Sequence, residues 1–121
     1  MQHQAAHAYA QTAKITVSPR TLEADLLMKA ASRLQSVKDG WPQTSGDLRH
    51  ALTYNRRLWT IFATSATADE NPLPQSIKQN IANLGLFIFK QTMALEAEPA
   101  PEKLTALIGI NKEIAAGLRA Q

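Results

Sequence analysis

Asn55-Arg56-Arg57-Leu58-Trp59-Thr60-Ile61-Phe62 and Asn80-Ile81-Ala82-Asn83-Leu84-Gly85-Leu86-Phe87-Ile88 decide how this chain folds. Each sets apolar residues three and four apart, the period of a helix buried on one side. Each also breaks the stripe with asparagine, an amide that needs a partner once it leaves water. Neither stretch supplies a nucleophile, a pair of carboxylates or a metal cluster. The chemistry on offer is packing and recognition, and a non-enzymatic protein is expected.

Outward from these stretches, the first belongs to a helix capped by Ser45 or Asp47, whose apolar face reads Leu48, Ala51, Leu52, Asn55, Leu58, Trp59 and Phe62. Asp69-Glu70-Asn71-Pro72 then has the chemistry of a turn. Pro74 opens the helix that carries the second stretch, with Ile77, Ile81, Leu84, Ile88 and Gln91 on one side. Leu86, Phe87, Phe89 and Met93 add apolar groups on its other sides, so this helix is expected to be buried nearly all round, at the centre. Glu98-Pro99-Ala100-Pro101 stops it and starts a last helix with Leu104, Leu107, Ile108, Asn111, Ile114 and Leu118 on its face. Upstream, Ser18-Pro19 is a helix start, the serine as cap and the proline at the first position. The stripe that follows is Leu22, Leu26, Ala30, Leu34 and Val37, with Leu27 on its flank. Gly40 suits a left-handed terminator before Trp41-Pro42. No alternating strand pattern competes. The expected fold is all-α, a compact bundle of four main helices with a short N-terminal helix or arm over residues 1–17. Its core should include Leu26, Leu34, Leu52, Leu58, Trp59, Phe62, Ile81, Leu84, Ile88, Leu107 and Ile114.

The totals agree with one domain. The chain has 121 residues, 45% hydrophobic and 19% charged, with a formal net charge of +3. Such a composition is globular rather than disordered. Residues 1–40 hold five basic and three acidic groups, residues 41–66 three and one, and residues 67–121 five and six. That mild asymmetry is not the dense basic stripe of a dedicated nucleic-acid binder. Cysteine is absent, so neither disulfides nor thiolate zinc sites arise. No run approaches the ~20 apolar residues of a spanning helix. The first residues lack a secretory signal, and a cytoplasmic location is expected.

Several residues admit a functional reading beside a structural one. His3 and His7 stand i, i+4 but have no third ligand nearby, which favours a surface role over a metal site, and no cofactor is implied. Asn55, Asn80, Asn83 and Asn111 read either as helix-to-helix amide bonds inside the bundle or as an amide-lined groove for a partner's helix. Arg49 and Arg56 are i, i+7, with Arg57 further round; with Arg33 or Lys38 they form either a solvated face or a patch for RNA phosphates or acidic side chains. Gly85 reads as a close helix crossing or as room for a partner's side chain.

Taken together, Tyr54 to Phe62, Asn71-Pro72-Leu73-Pro74, Asn80 to Ile88 and Asn111 to Arg119 resemble the FlaF family, small flagellar biosynthesis regulators of α-proteobacteria. The likeness runs from Ala8-Tyr9 through Ser18-Pro19-Arg20-Thr21-Leu22-Glu23 to Arg119. It implies a role in flagellin production and export beside the partner regulator FlbT, which acts on flagellin messenger translation. Flagellin has long amphipathic terminal helices, and a groove here would cover such a stripe before export, as a secretion chaperone does. The alternative is control of flagellin translation with FlbT or by contact with RNA, and a homodimer is compatible with the first. The resemblance brings no catalytic residue. Candidate partner-binding residues are Tyr54, Arg56, Arg57, Ile61, Asn80, Asn83, Leu86, Phe87 and Phe89, with Trp41 in its turn as further spare apolar surface. Burial of both Phe87 and Phe89 would remove that groove.

Overall fold

Prolines set most of the boundaries in the computed structural model of the protein, which describes residues 19–120. The N-terminal arm with Tyr9, the His3 and His7 pair, and the Ser18 cap lie outside them. Helix α1 spans Pro19–Asp39, α2 Leu48–Ala66, α3 Gln75–Ala97 and α4 Leu104–Arg119, with 3-10 turns at Ser45–Asp47 and Pro101–Lys103. No strand occurs among the described residues. The all-α expectation holds.

The connections differ in detail from the expected ones. Gly40 does not adopt a left-handed conformation. A Cβ there would run into the Thr44 methyl group, so glycine supplies space, not handedness. Thr44 turns back to donate its hydroxyl to the Val37 carbonyl. Trp41, expected as spare surface, is half-buried against the core. Neither Ser45 nor Asp47 donates a side-chain cap; the 3-10 turn leads into α2 without one. Between α2 and α3, Asn71 donates to the Ser65 carbonyl and accepts from the Leu73 amide at 3.0 Å, which lets Leu73 be buried.

The most closely paired helices are α1 and α4, followed by α1 with α2 and α2 with α3. The buried side of α1 is Ala24, Leu27, Ala30, Ala31, Leu34 and Val37. Leu26 is therefore only half-buried and Leu22 is exposed, whereas Leu27 is fully enclosed. The face has rotated because small alanines let α4, with Ala115 on its inner side, approach closely. Close approach gains more contact per residue than a ridge of leucines at greater spacing. Leu34, Leu52, Trp59, Phe62, Ile81, Ile88 and Leu107 are buried as expected. Leu58, Leu84 and Ile114 are half-buried and packed against that core.

The centre of this core is polar. Asn55 and Asn111 are fully buried. The Trp59 indole N–H donates to Asn111 Oδ1 at 2.8 Å, and Asn111 Nδ2 donates to Asn55 Oδ1 at 2.7 Å and to the Leu27 carbonyl at 3.4 Å. The indole can only donate, so the orientation of the Asn111 amide, and through it that of Asn55, is fixed. Asn111 thus ties α4 to α2 and α1 at one point. Asn55 Nδ2 has no partner. For these two residues the interhelical amide reading is the correct one.

Helix α3 is not the central helix. Its inward row is Lys78, Ile81, Gly85, Ile88, Thr92 and Leu95, spaced alternately three and four as in a coiled-coil seam. Lys78 Nζ donates to the Ala68 carbonyl at 2.6 Å beyond the end of α2, and the Thr92 hydroxyl donates to Ile88. Beside this narrow seam Leu84 packs against the core and Gln91 donates to the Lys103 carbonyl at 3.1 Å; the rest of the helix faces outward. Asn80 and Asn83 are exposed, and Asn83 accepts from Gln79 on its own helix. The expected amide bonds from α3 into the bundle are absent because its seam passes between them and the core.

Three substitutions test the core and the start of α1. Asn111→Leu strands the Trp59 N–H and the Asn55 carbonyl together, and should cost about 2–4 kcal/mol in urea denaturation. Asn55→Leu removes an unpartnered donor as well as an acceptor, and should cost about 1 kcal/mol or less. Burial raises the Glu23 carboxyl pKa against the opposing charge of Arg20. A raised folded pKa means stability present at low pH and lost as pH rises through that value. Glu23→Gln should therefore raise Tm at pH 7 and leave it unchanged at pH 3.

Candidate functional site

The narrow seam leaves large apolar side chains of α3 in water. Leu86 is 60% exposed, Phe87 42%, Phe89 46% and Met93 58%. Leu86, Phe89 and Met93 stand at i, i+3 and i+7 and share one face of the helix, whereas Phe87, two residues before Phe89, points to a different side. Contiguous apolar surface of this kind marks interaction sites in soluble proteins.

Beside this surface lies an open groove of about 280 Å³ between α2 and α3. Its α2 wall is Arg56, Trp59, Thr60, Ala63 and Thr64, and its α3 wall is Ala82, Gly85, Leu86, Ile88 and Phe89. The lining is apolar for identifiable reasons. Thr60 and Thr64 donate their hydroxyls to the Arg56 and Thr60 carbonyls, so these polar side chains are satisfied within α2. Trp59 packs edge-on against Phe62, with ring centroids 5.3 Å apart, and its indole is held by Asn111. The core network thereby fixes one wall of the groove. The other features are small: Ala63, Ala82 and Gly85 leave the space open.

Gly85 is not required by a close crossing. A Cβ on it would lie 3.8 Å from Ala63 Cβ and 3.9 Å from Trp59 Cε3, ordinary contact distances. The alternative, room for a partner's side chain, fits the geometry better.

The candidate residues divide among different places. Arg56, Leu86 and Phe89 line the α2/α3 groove, and Phe87 is exposed nearby on α3. Tyr54 is half-buried with the Arg33 guanidinium 4.3 Å above its ring, on the α1 side of α2. Arg57 and the 70%-exposed Ile61 do not line the groove. Asn80 lines a second depression, of about 210 Å³, with Leu73, Ile77, Ile81, Glu113 and Ile114 between α3 and α4. The basic residues expected to form a patch are likewise placed apart: Arg33 stacks on Tyr54, Arg49 borders a depression with Leu95 and Pro99, and Arg56 stands at the groove; Arg119, outside that set, pairs with Asp25 at 2.7 Å. Sequence reasoning missed Ala63 and Ala82. Their signal was faint, two small residues facing each other across helices whose register only the fold supplies.

Among the described residues no three His, Cys, Asp or Glu side chains come together as a metal site requires, and no helix is long and apolar enough to cross a membrane. The fold and groove define a small all-α protein with an unpartnered apolar face on one outer helix. The sequence matches the family described as Flagellar protein FlaF over residues 5–118, and the chain belongs to that family of flagellar proteins. No curated protein and no solved structure matches it.

Gly85→Ala should stabilise the protein by about 0.5–1 kcal/mol, the helix-propensity difference, because its methyl group meets no clash. Thermal denaturation followed by circular dichroism measures this, and a loss of stability would show a tighter helix crossing than described.

Proposed function

We propose that this protein binds flagellin before export, as a non-enzymatic secretion chaperone or assembly factor, by taking an amphipathic flagellin helix along α3. The observation that carries the reading is the exposed face of Leu86, Phe89 and Met93 beside the α2/α3 groove, side chains that a monomer gains nothing by exposing. A flagellin terminal helix has the complementary problem, an apolar stripe with no partner until the filament assembles. Laying one against the other buries both, with affinity from apolar contact and direction from a few polar groups. Family membership places the protein in the flagellar system. Of the basic residues expected to form a patch, Arg33 stacks on Tyr54, Arg49 borders a depression with Leu95 and Pro99, and Arg56 lines the groove; RNA contact thus has no comparable support, and a link to FlbT and to flagellin translation would run through flagellin itself.

Isothermal titration against flagellin monomer tests this. Binding in the micromolar range or tighter is expected, lost when the terminal helices of flagellin are removed. Leu86→Ser with Phe89→Ser should weaken it at least about tenfold, as two truncated interface anchors do, while the helical circular dichroism spectrum stays unchanged. A folded protein that binds no flagellin would contradict the reading.

A further inference from the structure

Arg56 is the one charged side chain lining the α2/α3 groove, whose polar threonines, Thr60 and Thr64, are bonded within α2. It is half-buried there, yet among the described residues its guanidinium has neither a carboxylate nor a carbonyl partner. Arg33 has Tyr54 and Arg119 has Asp25. A guanidinium beside apolar walls is partly stripped of water, and a carboxylate brought to it forms a stronger, bidentate contact than one on an open surface. Arg56 stands two turns before Ala63 on α2, roughly 10 Å along the axis. The small residues Ala63, Ala82 and Gly85, where a large apolar side chain fits, are therefore one to two turns away from the charge.

We infer that Arg56 is a specificity-determining residue, and that the groove takes an amphipathic helix in which a large apolar anchor is followed or preceded, one to two turns away on the same face, by a glutamate or aspartate. The anchor fills the space over Gly85 and the carboxylate meets Arg56. Thr60 and Thr64 add no competing donors, their hydroxyls being bonded within α2. The groove selects by charge as well as by shape: a neutral helix leaves Arg56 partly desolvated and unpaired, and a basic one is repelled. This rests on the flagellin reading for the identity of the natural partner, but the recognition rule stands apart from it.

Three labelled helical peptides test the rule, alike except that the positions four and seven residues from a phenylalanine anchor carry glutamate, glutamine or lysine. Fluorescence anisotropy against the full chain should give the order glutamate, glutamine, lysine, with the first bound about tenfold tighter than the second, as a charge-assisted pair predicts. Arg56→Met keeps the aliphatic stem and should erase the difference while retaining the glutamine peptide. Arg56→Glu should invert the order, favouring lysine, and Arg57→Glu should leave it unchanged. Equal binding of all three peptides, or an acidic preference that survives Arg56→Met, overturns the inference. Flagellin titrated in parallel separates the two claims. Flagellin binding without any peptide preference leaves the chaperone reading standing and sinks the role of Arg56. An Arg56-dependent preference without flagellin binding does the reverse, and failure of both sinks both.

Discussion

The architecture depends on the amide of Asn111. Among the described residues it is the one side chain of α4 bonded to both α2 and α1, accepting from Trp59 and donating to Asn55 and to the Leu27 carbonyl. Apolar packing alone would let these helices slide by a turn at little cost, because leucines and alanines recur along every face. A buried amide has one register in which its groups are satisfied, and any other leaves donors and acceptors without water or partner. The rest of the core, from Leu27 and Leu34 to Leu107 and Ala115, is packed around that constraint.

What the network leaves out matters as much. Helix α3 contributes no group to it, and joins the bundle through a narrow seam in which Lys78, Gly85 and Thr92 alternate with Ile81, Ile88 and Leu95, with Leu84 at its edge. Half the seam positions are thus polar or small, so α3 is held by less apolar burial than a helix of its length offers. Its remaining apolar side chains have nothing in the monomer to cover them. The groove beside it has one wall fixed by the core, through Trp59, and one wall formed by this more lightly attached helix. A partner laid there adds contacts to the least secured element of the fold, which suits a protein that must hold a client and then release it.

Much of this is legible in the sequence, and the failures have physical causes. Pro19, Pro74 and Pro101 mark helix starts through their missing N–H and fixed φ, which are local properties. The core positions Leu34, Trp59, Phe62, Ile81 and Ile88 follow from periodicity. Periodicity failed on α1, where Ala24, Ala30 and Ala31 outweighed Leu22 and Leu26, because close helix approach is decided by two helices and read from neither alone. It failed on α3 because apolar content was equated with burial. Asn55 and Asn111 against Asn80 and Asn83 show the limit most clearly: the same residue type on similar stripes, separated only by whether another helix arrives with a complementary group. Of the site, Leu86 and Phe89 stood out as spare apolar surface and Arg56 as a candidate partner-binding charge, whereas Tyr54 was claimed by Arg33 and the small residues Ala63 and Ala82 gave only a faint sign.

A network-locked set of three helices carries a lightly attached fourth, α3, and we propose that its exposed face receives the partner. Native-state hydrogen exchange, run on the free protein and again with saturating flagellin monomer, tests both halves in one experiment. Amides of α3 should exchange through lower-energy openings than those around Leu27, Asn55 and Asn111, and flagellin should slow exchange chiefly in α3 and the facing side of α2. Protection in α3 equal to that of the core, or a footprint falling on α1 and α4, would contradict this arrangement.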